Sequence, residues 1–181
     1  MLYTRKGDSG TTKTLHCDQR LSKSSVIAEA LGAVDEINSL LGLVRTQCQG
    51  EPLTLELVKI LLSVQQNLFI IQAELAGAPG KTIVAEKVVT LEKIIDDIER
   101  ELPPIKSFFI AGGTELATRL DYARTVARRA ERRVVAAREE GEIKISDSTM
   151  AYLNRLSSLL YALARLANHK SGITEEAPDY K

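Results

Sequence analysis

Between Thr114 and Glu140 the charged residues Asp121, Arg124, Arg128 and Glu131 recur at steps of three and four, so on a helix they stand in one line. Arg129, Arg132 and Arg133 add cations beside them. A row of guanidinium groups can grip a polyphosphate through forked, charge-assisted hydrogen bonds. The same row equally suits a solvated helix face laced with i, i+3 and i, i+4 ion pairs, and spacing alone leaves both open. A second candidate is the stretch Thr4-Arg5-Lys6-Gly7-Asp8-Ser9-Gly10-Thr11-Thr12. Its glycines permit turns that aim several backbone N–H groups at one anion, and its cations and hydroxyls complete a phosphate cradle. The Gly-Lys-Ser/Thr ending of a P-loop is missing, so the stretch is either another kind of phosphate loop or a plain Gly-rich arm. Lys23 adds a cation just ahead of the first helical pattern.

Other polar residues border apolar helical seams. Asp35 and Asn38 lie one turn apart, flanking Leu31 and Gly42; an acid there either pairs with an arginine of another helix or is an ordinary surface Asp. Asn154, Tyr161 and Asn168 recur at seven-residue steps beside Leu153, Leu156 and Leu160. Asn inside a helix serves either a buried hydrogen bond or the setting of register. His16 and His169 have no partner at metal-ligand spacing. Cys17 and Cys48 form no metal spacing, disulfide framework or catalytic signature and read as packing residues. A nucleophile elbow and a Rossmann glycine fingerprint are both missing from the sequence.

The elements that must position these groups are helices. Apolar residues recur with helical period over about Ser25–Cys48, Leu53–Ala76, Val84–Leu102, Thr114–Glu140 and Ser146–Lys170. Gly77-Ala78-Pro79-Gly80 breaks the second segment and Pro103-Pro104 stop the third. Thr114 caps the fourth, and Ser146 or Asp147 the fifth. The second segment is apolar on more than one face, which predicts the most buried helix. In the fourth, Leu116, Leu120, Ala123, Ala127, Ala130, Val134 and Ala137 make a small-residue seam that lets a neighbour come close. The reading is one all-α domain over 1–181, an up-and-down five-helix bundle. An ordered loop or short extended segment occupies residues 1–22, helices fill 23–170, and 171–181 form a polar, loosely held tail.

Composition narrows the function. Lys+Arg and Asp+Glu both number 24 in 181 residues, so a basic surplus for coating nucleic acid is missing. Aromatics make up only 4%, so the core must be built from Leu, Val, Ile and Ala. No apolar run reaches the length of a membrane span, and Met1-Leu2-Tyr3-Thr4-Arg5 does not read as a signal peptide, which predicts a cytoplasmic protein.

Taken together, these motifs resemble the PduO-type ATP:cob(I)alamin adenosyltransferases, or corrinoid adenosyltransferases. Tyr3 to Thr12 is similar to the family's N-terminal ATP loop, and Arg20-Leu21-Ser22-Lys23 to its following basic element. Gly32-Ala33-Val34-Asp35-Glu36-Ile37-Asn38 resembles its Gly-x-Val-Asp-Glu-Leu-Asn helix, and Phe108-Phe109-Ile110-Ala111-Gly112-Gly113 its Phe-Ile-Leu-Pro-Gly-Gly turn. Ala123 to Arg132 resembles its signature helix, and Leu153-Asn154-Arg155-Leu156-Ser157 its last motif. The chain departs from the pattern at Ala111 (usually Pro), Cys17-Asp18 (commonly Asp-Gly), Ser158 (commonly Asp) and Asp121 (frequently His).

The resemblance implies a homotrimer with an active site in each cleft between subunits. It implies that the N-terminal loop, through Thr4, Arg5, Lys6, Gly7, Asp8, Gly10, Thr11 and Thr12, folds over ATP held by Arg128, Glu131, Arg132 and Asn154. Lys23 lies near the phosphates, which carry Mg²⁺ on no nameable protein ligand. Asp35 of one subunit pairs with Arg124 of the next, and Asp35, Arg124, Arg128 and Phe108 form the catalytic set. Cobalt of cob(I)alamin attacks the 5′ carbon of ATP, and triphosphate leaves. Phe108 fills the space vacated by the corrinoid's displaced lower ligand, with Asn38 and Tyr161 also on the cobalamin side. A reductase supplying Co(I) and an adenosylcobalamin-dependent enzyme are the implied partners. The alternative of another class is a bundle that binds ATP or adenosylcobalamin and hands it on without turnover.

Overall fold

The computed structural model describes residues 3–14, 20–46, 52–141 and 143–181. His16, Cys17, Cys48 and the Cys17-Asp18 departure lie outside the described residues. A small antiparallel hairpin opens the chain, with β1 (Thr11–Lys13) paired to β2 (Arg20–Ser22) in the register Thr12 to Leu21. Five helices follow: α1 (Val26–Thr46), α2 (Pro52–Leu75), α3 (Ala85–Glu101), α4 (Glu115–Glu139) and α5 (Asp147–Lys170). The expected bundle is therefore present, with helix ends close to where sequence punctuation places them.

The punctuation works as its chemistry requires. Thr114 accepts a hydrogen bond from the Ala117 N–H at 3.1 Å, and Ser146 one from the Thr149 N–H at 3.1 Å, each satisfying a donor the first turn leaves free. Leu102, held extended before Pro103, ends α3. Glu74 of α2 reinforces the start of α5. Its buried carboxylate accepts from the Ser146 N–H at 2.7 Å and from the Thr149 hydroxyl, placing negative charge at a helix N-terminus.

Packing runs α2 beside α1, α1 beside α4, α4 beside α5, and α5 beside α3. Ala30 and Ala33 of α1 face the alanine seam of α4, where Ala123, Ala127 and Ala130 are fully buried, so the two backbones approach closely. The expectation that α2 is the most buried helix is corrected: that helix is α5. It lies between α3 and α4 and buries residues on nearly every face from Tyr152 to Asn168. Part of the second apolar face of α2 remains open, with Leu55, Leu62 and Phe69 exposed at seven-residue steps. Among the described residues, no helix is long and apolar enough to cross a membrane.

The second correction concerns the C-terminal tail. Instead of being loosely held, it is tied to the bundle by Glu175, which pairs with the buried Arg165, and by the Glu176 carbonyl, which accepts from the Ile110 N–H at 2.8 Å. A buried guanidinium needs an anion, and the tail brings one.

A titratable hydroxyl lies in the core. Tyr152 is fully buried, and its hydroxyl accepts from Asn67 Nδ2 at 3.0 Å. Asn67 Oδ1 accepts in turn from Lys87 Nζ of α3, so α2, α3 and α5 share one polar link. Burial pushes the Tyr152 phenol up to about 12 from 10.0, and the Asn67 hydrogen bond offsets this only in part. The folded state therefore keeps a proton that the unfolded chain loses above pH 10.0, so this contribution is intact below that pH and fades as pH rises toward about 12. Tyr152→Phe is expected to flatten the fall in stability over this window. Urea unfolding of both proteins on either side of pH 10.0 tests it, and parallel slopes would refute it.

Candidate functional site

The charged row of α4 is where the sequence puts it, on the border of the buried alanine seam. Arg124 is half-buried and donates from Nε to Asp121 Oδ1 at 2.6 Å. Asp121, one of the departures from the family pattern, thus supplies Arg124 with an acid from its own helix. Arg128 and Arg132 are exposed and make no ion pair among the described residues. Arg129 and Arg133 turn the other way and pair with Glu36 and Glu29 of α1 at 2.6 and 3.7 Å. The two readings of the arginines therefore divide by residue: Arg129 and Arg133 lace two helices together, while Arg128 and Arg132 remain available to a ligand. Glu131 accepts from Asn154 Nδ2 of α5 at 2.9 Å.

Beside this row opens a pocket of about 610 Å³ between α4, α5 and the 103–113 loop, lined by Phe108, Asp121, Arg124, Arg128, Ser158 and Tyr161 among others. Phe108 stands at its mouth and is 80% exposed, an unusual setting for a Phe within a monomer. Burial pushes the Tyr161 phenol up from its ordinary value; nearby Arg165 opposes this and Glu175 adds to it, so the hydroxyl stays protonated at neutral pH.

The loop is fixed from beneath by α5. Asn168 is buried; its Oδ1 accepts from the Thr114 N–H at 3.0 Å and its Nδ2 donates to the Gly112 carbonyl at 3.0 Å. Gly113 has φ +99 and lies so close that a Cβ there would stand 2.2 Å from Asn168 Oδ1, so the turn requires glycine. Asn168 is thus the buried hydrogen-bonding residue of its series, whereas Asn154 is exposed and faces Glu131.

The N-terminal candidates form a separate patch. Arg20 of β2 donates to the Thr11 hydroxyl at 2.8 Å, to the Thr11 carbonyl at 2.9 Å and to the Lys6 carbonyl, closing the loop on itself. The Lys23 N–H donates to the Gly10 carbonyl at 2.9 Å. Lys23 Nζ lies over Gly7, where an added Cβ would approach it to 3.2 Å. Gly7, Gly10, Thr11 and Lys23 are therefore neighbours, as a phosphate cradle needs. Thr4, Arg5, Lys6 and Asp8 are exposed around them, with Arg5 stacked 5.4 Å from the Tyr3 ring. Thr12 and Asp35 meet in a second open pocket of about 600 Å³ that also includes Gly32 and Phe69. Asp35 is exposed there and, among the described residues, accepts a long 3.4 Å contact from Gln72.

Within one chain, then, two pockets gather some of the candidates and keep them apart. Phe108, Arg124, Arg128 and Tyr161 line one pocket; Thr12 and Asp35 line another, and the two pockets share no residue. Asn38 lines neither: its side chain is buried in α1, with Oδ1 unpartnered among the described residues. Two residues that shape the site were not among the candidates. Arg20 was visible only as part of a basic element. Arg165 had a clearer signal, a lone cation inside the apolar run from Leu159 to Ala167.

Comparison with known proteins defines the class. The model of the cobalamin adenosyltransferase family matches residues 2–167. A corrinoid adenosyltransferase of Bacillus subtilis is 39% identical over 95% of this chain and 89% of its own length. The corrinoid adenosyltransferase PduO of Citrobacter freundii is 41% identical over 93% of this chain, which spans about half (50%) of that relative. A solved PduO-type ATP:corrinoid adenosyltransferase from Lactobacillus reuteri, a phenylalanine-to-histidine variant complexed with cobalamin and ATP, superposes with a TM-score of 0.89. It is 32% identical, and the match covers 99% of this chain and 97% of that one. The chain belongs to the cobalamin adenosyltransferase family.

Proposed function

We propose that the protein transfers the 5′-deoxyadenosyl group of ATP to the cobalt of cob(I)alamin, in sites formed between the subunits of a homotrimer. The observation that carries this reading is the division of the candidates into two open half-sites on one chain. One offers the unpaired guanidinium of Arg128 beside the Arg124–Asp121 pair and an exposed aromatic; the other offers the end of the N-terminal loop at Thr12 and the Asp35 carboxylate. A second copy that brings the two halves together completes a site for a polyphosphate and a large, flat, partly apolar substrate. The exposed Phe69 beside Asp35, continued by Leu62 and Leu55, supplies apolar surface for such contact.

In this reading Co(I) donates its electron pair to C5′, the Co–C bond forms, and the C5′–O bond breaks with its electrons leaving on triphosphate. The cobalt ends as Co(III). The protein forms no covalent bond. Arg128, Arg132 and Lys23 stabilise the charge that develops on the leaving triphosphate, and the N-terminal loop holds ATP in line with the cobalt. Glu131 and Asn154, already joined to each other, orient the nucleoside end. The Arg124 guanidinium turns Nε and, at a longer 3.5 Å, one terminal nitrogen toward Asp121, and keeps its other terminal nitrogen for Asp35 of the neighbouring subunit. Phe108 takes the face of the corrinoid from which the lower ligand withdraws, and Tyr161 borders it. Mg²⁺ shields the triphosphate charge when bound. A reductase supplies the electron that makes Co(I), and an enzyme that uses adenosylcobalamin consumes the product, both in the cytoplasm.

Turnover of anaerobic cob(I)alamin with Mg-ATP, followed by loss of the Co(I) absorbance, tests the reaction. ATP binding without turnover would leave only a carrier. Subunit mixing tests the placement. Asp35→Ala and Arg128→Ala are each expected to be nearly inactive alone, whereas co-expressed chains regain about a quarter of wild-type activity, because random trimers restore both halves at that fraction of interfaces. No recovery in mixed trimers would sink the inter-subunit site.

A further inference from the structure

We infer that residues 173–176 are a strap that sets the Phe108 loop, and that Arg165 and Glu175 are positioning residues for the corrinoid half of the site. This rests on the reading of that half given above. Arg165 is only 5% exposed and is the one arginine of α5 that turns inward among its leucines and alanines. Its Nε donates to Glu175 Oε2 at 2.8 Å, and its NH2 donates to the Pro103 carbonyl at 3.1 Å. Its guanidinium lies 5.0 Å from the Phe109 ring centroid. One side chain therefore touches the start of the loop, the residue next to Phe108, and the tail. The tail closes the arrangement from the other side, where the Ile110 N–H donates to the Glu176 carbonyl at 2.8 Å. Asn168 holds the far end of the loop at Gly112.

The consequence is mechanical. Phe108 is largely exposed, so its own contacts do not fix its position; the anchored residues near it in the loop must. Phe109 is held by Arg165 and Ile110 by the tail, both just after Phe108, and the same guanidinium holds the Pro103 carbonyl before it, so the backbone around Phe108 is set by contacts that depend on residues 173–176. Ala111 gives the loop no local stiffening of the kind a proline would supply there. Removing the Glu175 carboxylate frees Arg165 to leave Phe109 and Pro103, because a buried guanidinium without its anion is driven toward water.

The test compares the full-length protein with Glu175→Gln, Glu175→Ala, Phe108→Ala and the double variant Glu175→Ala/Phe108→Ala. All are checked for folding by circular dichroism. In Glu175→Ala the KM for the corrinoid should rise about ten-fold with the KM for ATP held within about two-fold, since misplacement of a positioned group is costly even when the reacting groups remain. Glu175→Gln, which keeps an oxygen acceptor, should fall between. Adding Glu175→Ala to Phe108→Ala should cost little more, because both act through one side chain. Amide exchange at Ile110 should accelerate at least about ten-fold in Glu175→Ala. Equal loss for both substrates, or additive effects in the double variant, would overturn the proposal. Should the wild type not turn over, the functional reading falls, but Ile110 exchange still judges the strap: acceleration upholds its hold on the loop, and unchanged exchange overturns it.

Discussion

Replacing Arg128 by alanine is expected to lower kcat/KM for ATP by about 10²–10³-fold while the bundle stays folded, the scale of losing a charged group that stabilises a developing anion. The expectation joins two observations. Arg128 lines the pocket with Arg124 and Phe108, and it makes no ion pair among the described residues. Its exposed side chain leaves no buried partner orphaned on removal, so stability should change little. Arg124→Ala differs, because it also strips Asp121 of its 2.6 Å partner. Arg128→Lys should recover only part of the loss, since an ammonium keeps the charge but not the forked hydrogen bonds. Steady-state kinetics with Mg-ATP, together with calorimetric ATP binding, measure this directly. Full activity in Arg128→Ala would remove the residue from the site, and loss of the helical signal would reduce its role to packing.

How far the sequence foretold this molecule depends on the range of the forces involved. Helix ends were legible because they are local: Thr114 and Ser146 cap, prolines stop α3, and each acts within one turn. The alanine seam of α4 was legible because small residues at a steady step have one packing consequence. Burial of whole helices was not, because it depends on which neighbour arrives. The double-faced pattern of α2 predicted the deepest helix, yet Leu55, Leu62 and Phe69 face outward and α5 takes the centre. The site followed the same rule. The arginine row was plain from spacing, but only the fold sorts Arg129 and Arg133 to α1 and leaves Arg128 free. The pairing of Arg165 with Glu175 joins an apolar helix to a tail that looked unstructured; local pattern marks the lone cation but not its partner ten residues on.

Phe108→Ala carries the second large effect, and the source of cobalt electrons decides its size. The side chain is 80% exposed, so its loss should scarcely alter stability. ATP binding should hold within about two-fold, because Phe108 carries no charge or hydrogen-bonding group for the phosphates, which the reading assigns to Arg128 and the N-terminal loop. In the proposed reaction its work comes before adenosyl transfer. By occupying the space below the corrinoid it keeps the lower ligand away and leaves Co(II) easier to reduce. Starting from Co(II) with a biological reductant, the variant should therefore lose about 10²-fold in adenosylcobalamin formation, in line with the cost of misplacing a group at a reacting centre. Starting from chemically prepared cob(I)alamin, which has passed that step, the deficit should shrink to a few-fold. The contrast separates two physical roles that a single activity measurement would merge. An aromatic that only adds contact area weakens corrinoid binding equally from either oxidation state, so equal losses in the two assays would assign Phe108 to binding alone. A loss confined to the Co(II) assay would place its contribution at the reduction. Glu175→Ala should then shift the same ratio in the same direction, because the strap it anchors holds Phe109 and Ile110, the two residues that follow Phe108.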